Sequence, residues 1–305
     1  MNRHSQTQRG TFWLPIPFLA AVFVAIASSP SKANTFGTLY ISTNTTLTDN
    51  HEGDVVITTD NITLDCGGHV ISADLPVGIL VQDRSNVTIR NCEVSGFTRG
   101  VLVLNSIGNT LLANTANHND YGFALAFASG NQLIGNTANN NSFAGFGPGR
   151  SVGNTFSANT ANLNGTNGFE IHLYSDRNVF SENTANNNGA AGFGLGSSSN
   201  NHLAGDIANG NNGSGFGLSQ SNSNILEDNT AIRNAFAGFA LGESSSNTLL
   251  SNRAKNNLAG FYLTSSSFNT LESNDGTPNT GVDAYQSGGT GNVSTDNKFK
   301  TTDGF

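Results

Sequence analysis

The sequence predicts an all-β chain wound as a single-stranded parallel β-helix, a solenoid of about nine to ten coils of 22–24 residues with an N-terminal cap. Three observations carry this. A glycine recurs every 22 to 24 residues, from Gly78 and Gly100 through Gly145, Gly168 and Gly192 to Gly260. An apolar residue follows each, first Ile79 and Val101, then Phe123, Phe146, Phe169, Phe193, Phe216, Phe239 and Phe261. Two further rows keep the same spacing, one running from Ile89 and Leu111 to Leu271, the other of small residues from Val94 and Ala116 to Ala254. Three apolar rows mean three inward-facing segments per turn. One unit is too polar to bury a core alone, so the units must stack.

A period near 23 residues with three short strands fits strands that pair with their equivalents one coil on, at roughly 4.8 Å. The leucine-rich repeat has a similar period, but its helical half and leucine signature are missing. Helical repeats need longer periods and helix formers in place of Asn and Gly.

Taken in order, residues 1–33 read as a secretory signal. Arg3 and Arg9 precede an apolar run over residues 14–27, and Ser31-Lys32-Ala33 offers small residues for cleavage. The mature chain is expected to be secreted or periplasmic, without a membrane span. Residues 34–60 are expected to cap the first coil, because an open end exposes unpaired backbone. The segments TLYI, DVVI and NITLDCGGHVI alternate as strands do, with Gly67-Gly68 as a turn. Repeats fill residues 61–297, wearing down from Thr277, and residues 298–305 form a tail.

Asparagine rows accompany the apolar ones, such as Asn114, Asn136, Asn159 and Asn183, a row that continues through Asp206 to Asn274. Asn tolerates left-handed bends, and stacked amides can bond from coil to coil, so these rows read as structural. Cys92 falls in the Asn114 row, with Cys66 near that position one coil earlier. Neighbouring rungs bring the two within disulfide range, as either a structural disulfide or a stacked free pair.

The formal net charge is −8, and losing the three basic residues of the leader makes the mature chain more acidic still. Nucleic acid is therefore not an expected partner. Trp13 and Met1, the only residues of their kinds, leave with the leader. No cofactor or metal is expected, because His51, His69, His118, His172 and His202 fall on different rungs or faces.

The stretches ITLDCGGHVIS (residues 62–72) and SNVTIRNCEVSGF (85–97), with the later NT-L-NTAN-GF repeats, resemble exported parallel β-helix proteins of the NosD type, within the pectate-lyase-like superfamily. The resemblance implies right-handed winding, which the crossover rule also favours. It implies a choice among polysaccharide lyases, hydrolases and epimerases, sugar-binding modules, and a periplasmic accessory protein linked to copper-site maturation. The chain departs from the active members, having neither an aspartate cluster for calcium nor an Asp-Pro-His-Asp stretch.

Alternation along the Gly-Phe strand puts Glu170 and His172 on an outward face otherwise lined by Gly and Ala. Tyr174, Asp176 and Arg177 follow at the strand's end. Arg150 lies one coil earlier, after Gly147-Pro148-Gly149, where the proline is expected to interrupt the ladder and make a bulge. Glu170, His172 and Tyr174 could do acid–base work on an acidic sugar, while Arg150, Asp176 and Arg177 hold it. The plainer reading leaves these residues solvated on a polar surface. The expected function is binding of a polysaccharide or a cell-envelope partner around Glu170, with lyase or epimerase chemistry on acidic glycans as the alternative. A weaker alternative is ice binding by the Thr115, Thr137, Thr160 and Thr184 rank, which Ile207 breaks.

Overall fold

The computed structural model describes residues 35–305, so the leader expected over residues 1–33 lies outside the described residues. Every regular element among the described residues is a β-strand. All ladders are parallel and join each segment to its equivalent one coil on, as in Phe169↔Phe193 and Phe193↔Phe216. The architecture is a right-handed parallel β-solenoid of about eleven turns.

The strands form sheets of 16, 12 and 3 members. The first is large because Val70–Gln82 and Glu93–Leu104 run unbroken through two faces and fuse them. Farther on, the third face is held by short strands and single bridges such as Thr137↔Thr160. Residues 35–60 are themselves wound: Leu39–Ile41 pairs with Val55–Ile57, which pairs with Val70–Gln82. They occupy the end of the stack without the Gly-Phe mark, so glycine spacing undercounts the turns. At the other end Val282–Ser287 pairs with Ala259–Thr264, and Phe299 packs on Phe261 at 5.3 Å.

Periodicity dictates the core. Phe123, Phe146, Phe169, Phe193, Phe216, Phe239 and Phe261 are fully buried and stack with centroids 4.6 to 5.0 Å apart and planes within 8°. That spacing is the strand spacing, which parallel pairing imposes on any residue repeated in register. Phe156 and Phe180, from the second row, meet this column edge-on at 5.9 to 6.4 Å, an arrangement that aromatic quadrupoles favour.

The asparagine rows are buried ladders. Asn136 Nδ2 donates to the Leu111 carbonyl at 2.9 Å and to Asn159 Oδ1 at 3.1 Å, while Asn136 Oδ1 accepts from the Asn114 backbone at 2.9 Å. Each buried amide so satisfied avoids the cost of desolvation. The ladder asparagines do not themselves take the left-handed bends. The residue before each does, as Ala113, Ala158 and Glu182 show with φ of 53°, 54° and 57°. A ladder side chain must point inward, and the bend that turns it inward falls on its exposed neighbour. Cys66 and Cys92 are joined as a disulfide between adjacent coils, with Cα atoms 4.7 Å apart.

Candidate functional site

The outward face of the Gly-Phe strands carries a cleft of about 270 Å3. Its floor is Ala124, Ala126, Gly147 and Gly149, and its rim is Arg99, Leu102, Tyr121, Phe127, Arg150, His172 and Leu173. Register pairs Ala124 with Gly147, Ala126 with Gly149, and Gly149 with His172. The two glycines create the depth. A Cβ on Gly149 would stand 2.7 Å from His172 Nε2, and one on Gly147 would stand 3.4 Å from the Tyr121 ring. Both rings therefore lie against bare backbone.

Pro148 interrupts the ladder without a bulge. Phe146↔Phe169 and Gly149↔His172 keep one offset, so no residue is extra, contrary to the sequence expectation. Phe146 donates to the Gly168 carbonyl and Arg150 to the His172 carbonyl, at 3.0 and 3.3 Å. The equivalent donor to the Glu170 carbonyl would be the Pro148 nitrogen, which has no hydrogen. A missing hydrogen removes one bond; it does not lengthen the chain.

The lengthened segment is one turn later. In flanking coils a single left-handed residue separates the strand from a buried serine: Arg150 before Ser151 and Ser197 before Ser198, with φ of 50° and 49°. In the Glu170 coil there are two, Leu173 and Tyr174, with φ of 55° and 63°. Ser175 then resumes register, accepting from the Ser151 backbone and donating its own N–H to Ser198 Oγ, each at 3.2 Å.

One wall of the cleft is this turn row: Phe127, Arg150 with its guanidinium carbon 5.4 Å from the Phe127 ring centre, and Leu173. The opposite wall is Arg99 and Tyr121, the latter stacked on Phe143 at 5.6 Å and 18°. Glu170 adjoins the cleft, its Oε1 3.8 Å from His172 Nδ1. Burial pushes the Tyr121 phenol above its ordinary value, and the negative charge of Glu170 adds to the rise. Tyr121 thus stays protonated at neutral pH and can both donate and accept.

Of the residues singled out from sequence, Arg150 and His172 line the cleft and Glu170 adjoins it. Tyr174, Asp176 and Arg177 fall outside. Asp176 Oδ1 is committed to the next coil, accepting from the Ser199 backbone at 2.7 Å. Sequence reasoning missed Arg99, Leu102, Tyr121, Phe127 and Leu173. Two signals were available. Arg99 and Tyr121 directly precede Gly100 and Gly122, in a row that later reads Ala144, Asn167, Ala191 and Ser214, and the spacing from Phe169 to Phe193 is 24 residues. Among the described residues no three His, Cys, Asp or Glu side chains converge as metal ligands would, and no helix is long and apolar enough to cross a membrane.

Solved structures share the fold. A periplasmic alginate epimerase matches at 16% identity and a TM-score of 0.58, over 87% of this chain and 73% of that one. The A-module of an Azotobacter vinelandii mannuronan C-5 epimerase matches at 18% and 0.53, over 86% and 79%. The Dettilon tailspike protein matches at 16% and 0.56, over 85% and 60%. No curated protein matches the sequence. The right handed beta helix region family matches residues 43–203 and 170–299, and the chain belongs to that family.

Proposed function

We propose that this chain is an exported glycan-binding β-helix whose ligand sits in the cleft between Tyr121 and Arg150. The observation that carries this reading is the cleft's composition. A floor of small residues is flanked on one side by a stacked Tyr-Phe pair and on the other by an arginine lying over a phenylalanine. Aromatic faces accept the apolar faces of sugar rings, and their polar tips reach hydroxyls. Arg99 and Arg150 suit a ligand carboxylate, since guanidinium presents two parallel donors to it. The ligand class is therefore an acidic glycan. Two solved relatives named for acting on alginate or mannuronan support that class, and the leader-like residues 1–33 support export. The narrower likeness to NosD-type proteins rests on coil-building stretches, so it bears on the scaffold more than on the cleft.

A second reading has one observation in its favour. Glu170 and His172 stand 3.8 Å apart beside a protonated Tyr121, a set able to remove and return a proton next to a uronate carboxylate. That reading makes the chain a lyase or epimerase.

Affinity electrophoresis through gels containing alginate, pectate or hyaluronan tests both. Binding predicts retardation by at least one polymer and its loss in Arg150→Ala; no retardation by any of them would overturn the proposal. Catalysis predicts, in addition, unsaturated or epimerised product that disappears in His172→Ala.

A further inference from the structure

The Leu173–Tyr174 turn differs from its equivalents in length, conformation and exposure. Asn105, Phe127, Arg150, Ser197, Gln220, Glu243 and Ser265 are each the single left-handed residue of their turns, with φ between 47° and 52°. Here two successive residues with side chains adopt that conformation, which L residues avoid. Serine bonding above and below is uninterrupted. The extra residue adds one backbone bond, from the Tyr174 N–H to the Ser197 carbonyl at 2.8 Å, and its side chain adds nothing to the core. Tyr174 is 69% exposed and Leu173 50%. An outlier of conformation whose side chains are left in solvent points to use.

The same row shows where. Bulky turn residues occupy three successive coils, Phe127, Arg150 and Leu173–Tyr174, and all three coils border the cleft. On either side the row reverts to Asn105 and to Ser197, Gln220 and Glu243. The wall is thus built only where the cleft is, and the extra residue prolongs it past the cleft's own lining.

We infer that Tyr174 is a rim post that holds a second sugar ring of the bound glycan, outside the cleft that takes the acidic one. This rests on the glycan reading above. The phenol ring offers an apolar face for stacking and a hydroxyl for bonding, and its exposure leaves both accessible. The ligand recognised is then an oligosaccharide, and affinity depends on its length.

The test is calorimetric titration of the full chain with two probes, glucuronate and a purified alginate hexasaccharide, on wild type, Tyr174→Ala, Tyr174→Phe and a Tyr174 deletion. Deletion makes Leu173 the single turn residue, matching Arg150 and Ser197. Tyr174→Ala and the deletion are expected to weaken hexasaccharide binding roughly tenfold, the scale of one aromatic contact. Glucuronate binding should be unchanged, Tyr174→Phe should retain most of the affinity, and the deletion should not lower Tm. Wild-type hexasaccharide affinity in Tyr174→Ala, or a Tm lowered by the deletion, would overturn the inference. Loss of binding in Arg150→Ala with none in Tyr174→Ala would overturn the inference alone. Failure of wild type to bind either probe would overturn this inference, and the glycan reading falls with it only if alginate, pectate and hyaluronan gels also give no retardation.

Discussion

Asp206 receives on one oxygen, Oδ1, both hydrogens that Asn183 directs along the ladder, from the backbone N–H at 2.7 Å and from Nδ2 at 2.9 Å. Its other oxygen, Oδ2, is buried without a partner. In this row each asparagine uses that position to donate, as Asn183 does to the Phe156 carbonyl and Asn229 to the Leu203 carbonyl. The equivalent acceptor for Asp206 is the Phe180 carbonyl. A carboxylate cannot donate to it, and a carboxylic acid can. Burial raises the carboxyl to about 7, with the charge of Glu182 adding to the effect, against the lowering by Asn183.

Stability should therefore fall as pH rises. The folded chain keeps this proton up to about pH 7, whereas the unfolded chain releases it near 3.8. The contribution is fully present below that lower value, declines between the two, and is absent above the higher. The range corresponds to roughly 4 kcal/mol. Asp206→Asn restores the ladder donor, so it should raise stability at pH 8 and remove this part of the slope. Denaturant midpoints at pH 5 and pH 8 for both proteins check it; a wild-type midpoint no lower at pH 8, or an unstabilised variant there, contradicts the account.

The Cys66–Cys92 bond closes a separation of 26 residues. Chain entropy alone assigns such a loop about 3 kcal/mol. Replacing both cysteines with serine should lower Tm by several degrees, and adding reductant to that variant should change nothing further. Equal Tm for wild type with and without reductant would show that the bond contributes little.

Gly149 should tolerate no side chain without moving His172, given the 2.7 Å approach to Nε2. The displaced atom ends a rotatable side chain, so Gly149→Ala should fold with nearly unchanged Tm and lose glycan retardation. Retention of wild-type retardation would place His172 outside the ligand's reach.

Phe169 is stacked between Phe146 and Phe193 and meets Phe156 and Phe180 edge-on. Phe169→Ala should cost about 3–5 kcal/mol, because four rings lose a packed neighbour and a rigid coil cannot collapse into the void. Denaturant unfolding measures it, and a loss under 1 kcal/mol would mean that the column repacks.

Much of this architecture is legible in the chain itself. Parallel coils place every equivalent residue directly over the last, so a 22–24 residue period read along the chain becomes the buried Phe and Asn rows. The same logic makes Glu170 and His172 stand out against Gly194 and Gly196. It also exposes Asp206 as the acid in an asparagine row, though its protonation follows only from seeing Oδ2 without a donor.

The sequence by itself determined the winding, the identity of the core rows and the face on which departures from the repeat occur, because those depend only on register. The tertiary structure decided which departures meet. Tyr121 lies against Gly147 one coil on, and His172 against Gly149 one coil back. Tyr174 is the extra residue of a longer turn beyond the cleft lining, and Asp176 and Arg177 follow Ser175, where the regular register has already resumed. Side-chain reach across coils and the direction of a left-handed turn are three-dimensional quantities, and a linear period does not contain them.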